Sequence, residues 1–168
     1  KEIKAGEKRV AISPSIVEKL TVKGFELLLE STAGESSMYS NTTYEAAGAR
    51  ILTKAAVFAE AAVLIKINPF ELEEIQAVRE GQVLISQLFH KSNPELIQAV
   101  AASGASAFSM DAIPRISRAQ DMDVLSSQSN LAGYKAVIVG AYEMTKIFPL
   151  MMTAAGTITP SRVLIYGV

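Results

Sequence analysis

Between Lys1 and Ser109 the hydrophobic positions alternate between two rhythms. Short apolar runs rich in branched residues recur between segments whose apolar positions lie three and four apart, the pattern of a parallel sheet crossed over by helices. Ser13-Pro14 supplies an N-cap followed by proline, and Ile16, Val17 and Leu20 share one helical face until Gly24 stops the helix. A strand is predicted over 25–30. A short helix capped by Ser40 or Asn41 ends at Gly48, a strand follows near Ile51, and a helix covers 54–61. Val63-Leu64-Ile65-Lys66-Ile67 reads as a strand closed by Asn68-Pro69. Next come a helix from about Glu71 to Glu80, Gly81 as breaker, and a strand from Val83 to Ser86 or, at its longest, Phe89. A helix from Pro94 to Ala102 and a strand over 107–109 complete five strands, so the fold class is α/β with a parallel sheet covered on both faces.

From Asp111 to Ser126 the periodicity disappears and polar residues dominate, although the segment sits between strongly patterned ones. A loop of that kind is more often functional than idle. Leu131, Tyr134, Ile138, Ala141, Met144 and Phe148 then fall at helical spacing, predicting a buried helix of about six turns from near Ser127 to Phe148 that connects two domains. After a turn-rich segment over 153–161, Arg162 to Val168 starts a new strand and reaches Gly167. The expected division is an α/β lobe over 1–126, a connecting helix over 127–150, and a linker plus strand over 151–168.

Sixteen basic and seventeen acidic residues give a net charge of −1 without a basic run, which argues against a nucleic-acid partner. The absence of cysteine excludes disulfides and thiolate chemistry, and a single histidine excludes a multi-histidine metal site, so no metal is expected. The most apolar stretch, roughly Leu131 to Met152, is broken by Lys135, Glu143, Lys146 and Pro149, which a bilayer core would penalise. No transmembrane helix is expected in this chain.

Several residues could carry chemistry. A nicotinamide carboxamide offers one acceptor and one donor, and Arg115, Asp123 and Ser126 supply the complementary groups within twelve residues. The same loop also reads as a solvated surface in which Arg115, Arg118, Asp121 and Asp123 neutralise one another and Ser126 caps the long helix. Val163 to Gly167 could open a glycine-rich phosphate turn, though only one of the three required glycines is present. Lys66 reads as a strand-end lysine that snorkels outward unless a carboxylate or ligand meets it. His90 reads as a loop histidine, Arg9 as a surface arginine, and Glu71, Glu73 and Glu74 as carboxylates favouring a helix N-terminus.

The segments Pro114-Arg115-Ile116-Ser117-Arg118-Ala119-Gln120, 123–134 beginning Asp123-Val124-Leu125-Ser126-Ser127-Gln128, and Met152-Thr153-Ala154-Ala155-Gly156 resemble domain I of proton-translocating NAD(P) transhydrogenase. Lys8-Arg9-Val10-Ala11, Gly34-Glu35 and Asn93-Pro94-Glu95-Leu96 match the same family in order. Alanine dehydrogenase is a more distant likeness. The resemblance implies a Rossmann-like or flavodoxin-like first lobe, joined by the long helix to an NAD-binding Rossmann lobe of which this chain carries the first strand. It implies that the family's N-terminal strand would precede Lys1.

The resemblance further implies that Arg115, Asp123 and Ser126 orient the NAD(H) nicotinamide and ribose, while Gln120 reaches toward NADP(H) on a partner component. The catalytic set would then be Gln120, Asp123 and Arg115, with Ser126 and Gly167 as further NAD(H)-binding positions. The NADP(H)-binding component, a membrane domain and a second copy of domain I are the implied partners. The location would be peripheral, at the cytoplasmic face of a bacterial inner membrane or the mitochondrial matrix side. The histidine used by alanine dehydrogenase aligns with Phe89, so His90 is displaced by one position, which on a strand faces the other way. Hydride transfer between two nicotinamides needs aligned rings rather than an acid or base, so the displaced histidine favours transhydrogenation over amino acid dehydrogenation. This 168-residue chain alone is expected to be inactive and to bind NAD(H) negligibly.

Overall fold

The computed structural model describes residues 1–166. Proline in the first turn starts α1 (Pro14–Val22), and Gly24 at φ 87° ends it, a conformation that disfavours side chains bearing a Cβ. β1 (Leu27–Glu30) pairs in parallel with β2 (Ala49–Leu52) around α2 (Asn41–Ala46), whose cap is the Ser40 hydroxyl accepting from Thr43 N–H. Val17, Tyr44, Ala47 and Ala49 form the core there, and the buried Tyr44 hydroxyl donates to the Ile12 carbonyl at 2.8 Å.

After α3 (Lys54–Glu60), β3 (Val63–Ile65), β4 (Val83–Ser86) and β5 (Ser106–Ser109) pair in parallel in sequence order. Phe58, Leu64, Phe70, Leu84, Leu96 and Val100 pack this half, with α5 (Pro94–Ala102) on the sheet. Buried Gln82 closes α3 by donating its amide to the Phe58 and Ala61 carbonyls at 2.9 and 2.6 Å, satisfying acceptors that a helix end leaves open.

The helix expected over 71–80 is shorter, since α4 covers only Leu72–Ile75. The Arg79 N–H goes to the Gln82 side chain and the Gly81 N–H to the Gly104 carbonyl, so neither bonds back along a helix. The expected single sheet is two. β1 and β3 each leave one edge unpaired among the described residues, and a groove of about 510 Å³ lined by both strands lies between them. Lys1 and Glu2 cross its carboxyl end: the Lys1 α-ammonium bonds Glu30 at 2.8 Å, and a Glu2 oxygen accepts from Ile67 N–H at 2.6 Å.

The chain divides into two units, Lys1–Asp123 and Val124–Val168. The second contains α6 (Val124–Glu143) and an antiparallel hairpin, β6 (Met151–Thr153) with β7 (Gly156–Ile158), in place of the irregular turns expected from residue 153. α6 stops before Phe148. The Ile147 and Phe148 carbonyls accept from Ser161, and Pro149 disfavours helical backbone at Phe148. The helix is exposed where burial was expected: Leu131 and Tyr142 are 60% and 85% exposed, and consecutive Val137, Ile138 and Val139 leave it without one sheltered face. Residues 162–166 carry no strand, because no described strand pairs with them, and Gly167 lies outside the described residues. No helix among the described residues is long and apolar enough to cross a membrane.

Candidate functional site

The polar loop predicted from lost periodicity is a built feature at the end of the first unit. β5 leads into a 3-10 turn (Met110–Ala112), and Ile113-Pro114 carries the chain to Arg115. A second 3-10 segment (Ser117–Met122) follows, held by Ala119 N–H to the Ile116 carbonyl at 2.9 Å and Asp123 N–H to the Gln120 carbonyl at 3.2 Å. Ala119 alone of this segment is buried, and it anchors the turn while leaving Arg115 and Gln120 exposed. Asp123 is half-buried at the segment's end. Arg115, Gln120 and Asp123 thus share one anchored loop in the first unit, whereas exposed Ser126 lies in the first turn of α6 in the second. An exposed guanidinium, an amide and a carboxylate on one short loop provide the donors and acceptors that a carboxamide and ribose require.

Behind this loop lies a clamp that the sequence did not disclose. Asp111 Oδ1 accepts from Ser109 Oγ at 2.6 Å and from the Phe89 N–H at 3.1 Å, while Leu88 N–H donates to Ser109 Oγ at 3.2 Å. Burial raises the Asp111 pKa, but the Ser109 hydroxyl and the backbone N–H groups outweigh it and hold the carboxyl below its ordinary value. The end of β4 and the root of the loop are therefore tied together. His90 is not on a strand as expected: β4 ends at Ser86 and Phe89 has φ 46°, so alternation along a strand does not set the facing of Phe89 or exposed His90.

Lys66 does not snorkel. It is 8% exposed, and its ammonium lies 2.6 Å from Glu74, 3.5 Å from the Pro69 carbonyl and 5.3 Å from the centre of the Phe70 ring. Glu74, 4% exposed, also bonds Lys54 at 2.8 Å and accepts from Glu71 N–H at 3.0 Å. Burial raises its pKa, yet the Lys54 and Lys66 hydrogen bonds prevail and lower it overall. Grouping Glu74 with Glu71 and Glu73 as a helix-dipole carboxylate missed this role, since its partners Lys54 and Lys66 lie twenty and eight positions away.

Arg9 is similarly engaged. It forms a two-point pair with Glu7 at 2.9 and 2.7 Å, and Glu7 also accepts from Asn68 at 3.0 Å. The Arg9 hydrogen bonds, with help from Asn68, lower the Glu7 pKa to about 2 against the cost of burial. A cavity of about 610 Å³ at the carboxyl end of β3 includes Lys66, Asn68, Phe70 and Asn93 in its wall. No group of three or more potential metal ligands occurs among the described residues.

Parallel strands with helical crossovers, and an irregular polar loop after the last strand, define a Rossmann-like α/β protein. Residues 1–132 match the family described as alanine dehydrogenase/PNT, N-terminal domain, and the chain belongs to that family. It is 47% identical to an NAD(P) transhydrogenase subunit alpha polypeptide of Rhodospirillum rubrum, over 100% of this chain and 45% of that protein. It is 31% identical to an alanine dehydrogenase of Mycolicibacterium smegmatis, over 99% of this chain and 45% of the relative. Among solved structures, a transhydrogenase from Sinorhizobium meliloti superposes with a TM-score of 0.90 at 46% identity, covering 95% of this chain and 48% of the other. The chain spans less than half the length of these relatives.

Proposed function

We propose that the chain is part of the NAD(H)-binding component of a proton-translocating transhydrogenase, in which NADH passes a hydride to NADP⁺ held by a partner component. Lys66 and Arg9, two cations near the carboxyl edge, are already matched by Glu74 and Glu7. This observation carries the reading. An amino acid substrate held by either of them would have to displace its protein carboxylate, whereas two nucleotides aligned beside the Arg115 loop need neither.

NADH supplies the hydride at its nicotinamide C4, and NADP⁺ accepts it at the same position, giving NAD⁺ and NADPH without a net proton. Arg115 donates to the carboxamide oxygen, Asp123 accepts from the carboxamide or ribose, and Ser126 adds a hydroxyl from α6. Gln120 faces the NADP(H) ribose, and Gly167 is a further NAD(H)-binding position. The rings' separation and angle set the barrier, so these residues act by positioning. Proton movement belongs to a membrane domain. The component pairs with a second copy of itself and sits at the cytoplasmic face of a bacterial inner membrane, or the matrix side in mitochondria.

The reading is tested by supplying the complete complex with NADH and a thionicotinamide analogue of NADP⁺, and separately with alanine and NAD⁺. Reduction of the analogue is expected. Alanine-dependent NAD⁺ reduction without analogue reduction would instead establish the dehydrogenase alternative.

A further inference from the structure

Phe89 stands at the carboxyl end of β4, the central strand of its sheet, with φ 46°. Bulky L-residues rarely adopt this backbone region and glycine adopts it freely, so the choice of phenylalanine needs a reason. Core packing does not provide one, because the residue is 40% exposed. The backbone is nevertheless held from both sides. Its N–H donates to Asp111, and its carbonyl accepts from Ser92 N–H at 2.8 Å, Asn93 N–H at 3.1 Å and the Asn93 side chain at 3.4 Å. The Asn93 amide also donates to the Leu88 carbonyl at 2.9 Å.

Two other non-glycine residues among those described, Thr32 and Met38, have positive φ, but Phe89 joins an open aromatic face to a clamp shared with the root of the Arg115 loop. Three residues separate Asp111 from Arg115, so the ring and the guanidinium rise from one small region of the first unit. Open α/β sheets bind ligands beyond the carboxyl ends of their strands. Strain kept at such an edge, with the surroundings over-determining it, is a signature of a working site.

Resting on the transhydrogenase reading, we infer that Phe89 is a binding residue for the nicotinamide end of NAD(H), its ring providing an apolar platform for the planar heterocycle whose carboxamide meets Arg115. Asp111 and Asn93 are positioning residues that hold the platform at the angle the ligand needs. A flat, apolar ring suits a planar heterocycle, and the Asp111 oxygen at the clamp already accepts from Ser109 and Phe89.

The test uses Phe89→Gly and Phe89→Tyr in the complete NAD(H)-binding component. Glycine relaxes the backbone, so its thermal midpoint should match or exceed that of the wild type while the platform is lost. Removing an aromatic platform from beneath a base weakens binding by about fivefold to a hundredfold. NADH titration followed by dihydronicotinamide fluorescence should show that loss for Phe89→Gly, with a smaller fluorescence enhancement at saturation, and recovery in Phe89→Tyr. Should Phe89→Gly fold poorly, Phe89→Leu replaces it and should show the same loss of affinity. Unchanged NADH affinity beside a weakened grip on the NADP(H)-binding component would overturn the inference in favour of a protein contact. Unchanged affinity for both also overturns it, leaving the transhydrogenase reading intact. A wild-type component that binds no NADH defeats both.

Discussion

Replacing Glu74 should be among the most damaging single changes to the first unit. Its carboxylate is 4% exposed and receives Lys66 at 2.6 Å, Lys54 at 2.8 Å and the Glu71 N–H at 3.0 Å. Glu74→Gln removes the charge and leaves the 8% exposed Lys66 ammonium with the Pro69 carbonyl at 3.5 Å and the Phe70 ring. Breaking a buried pair by removing one partner costs about 3–5 kcal/mol, because the other charge stays buried. At about 2–4 °C per kcal/mol for a chain of this size, the thermal midpoint should fall by roughly 6–20 °C. Lys66→Met is the informative contrast. It leaves Glu74 with Lys54 and the Glu71 N–H, so the loss should be only about 1–2 kcal/mol. The double variant Lys66→Met/Glu74→Leu should be more stable than Glu74→Leu alone, showing a coupling of about 0.5–3 kcal/mol. Thermal melts by circular dichroism at neutral pH measure all four variants beside the wild type. If Lys66→Met costs as much as Glu74→Gln, or if the double variant is additive, the described charge balance is wrong.

Other consequences reach the nucleotide and the pH response. Gln120→Asn withdraws its amide by about 1.5 Å, one carbon–carbon bond, and should slow stopped-flow hydride transfer on the order of a hundredfold with NADH affinity nearly unchanged. Arg115→Ala should instead weaken NADH binding; equal losses of affinity in the two variants would place Gln120 on the wrong nucleotide. Calorimetry on the 168-residue chain should give negligible NADH binding, and saturable micromolar binding would contradict the proposed second-lobe contribution. Because the folded Glu7 pKa, about 2, lies below its unfolded value, its stabilising contribution is present above the unfolded pKa and is lost as pH falls toward 2. Glu7→Gln should therefore flatten the acid-side decline of the thermal midpoint, whereas parallel wild-type and variant curves would show that the Arg9 pair contributes nothing.

Local signals made most of the first unit legible. Ser-Pro at 13–14, the glycines at 24 and 48, and Asn-Pro at 93–94 punctuate the chain where helices begin or end, so α1, α2 and α5 could be placed by backbone chemistry alone. The Arg115 loop was visible because periodicity stopped there, and Ala119 supplies the anchor that makes such a loop possible. Pairings at long range were not visible. Glu74 finds Lys54 on another helix, and Asp111 reaches back twenty-two positions to Phe89, distances at which no spacing rule selects a partner. The φ of Phe89 had no signal at all, since the sequence shows phenylalanine where the backbone favours glycine. The split between β1 and β3 was hidden too, because both strands have the composition of fully paired ones.

Isotope transfer tests the central claim most directly. The complete complex is given NADH deuterated at the transferred C4 position together with NADP⁺, and the NADPH formed is analysed by mass spectrometry. Direct transfer beside the Arg115 loop predicts one deuterium in each NADPH and no solvent hydrogen at that position. Absence of NADPH, or NADPH carrying solvent hydrogen in place of the label, would contradict the account.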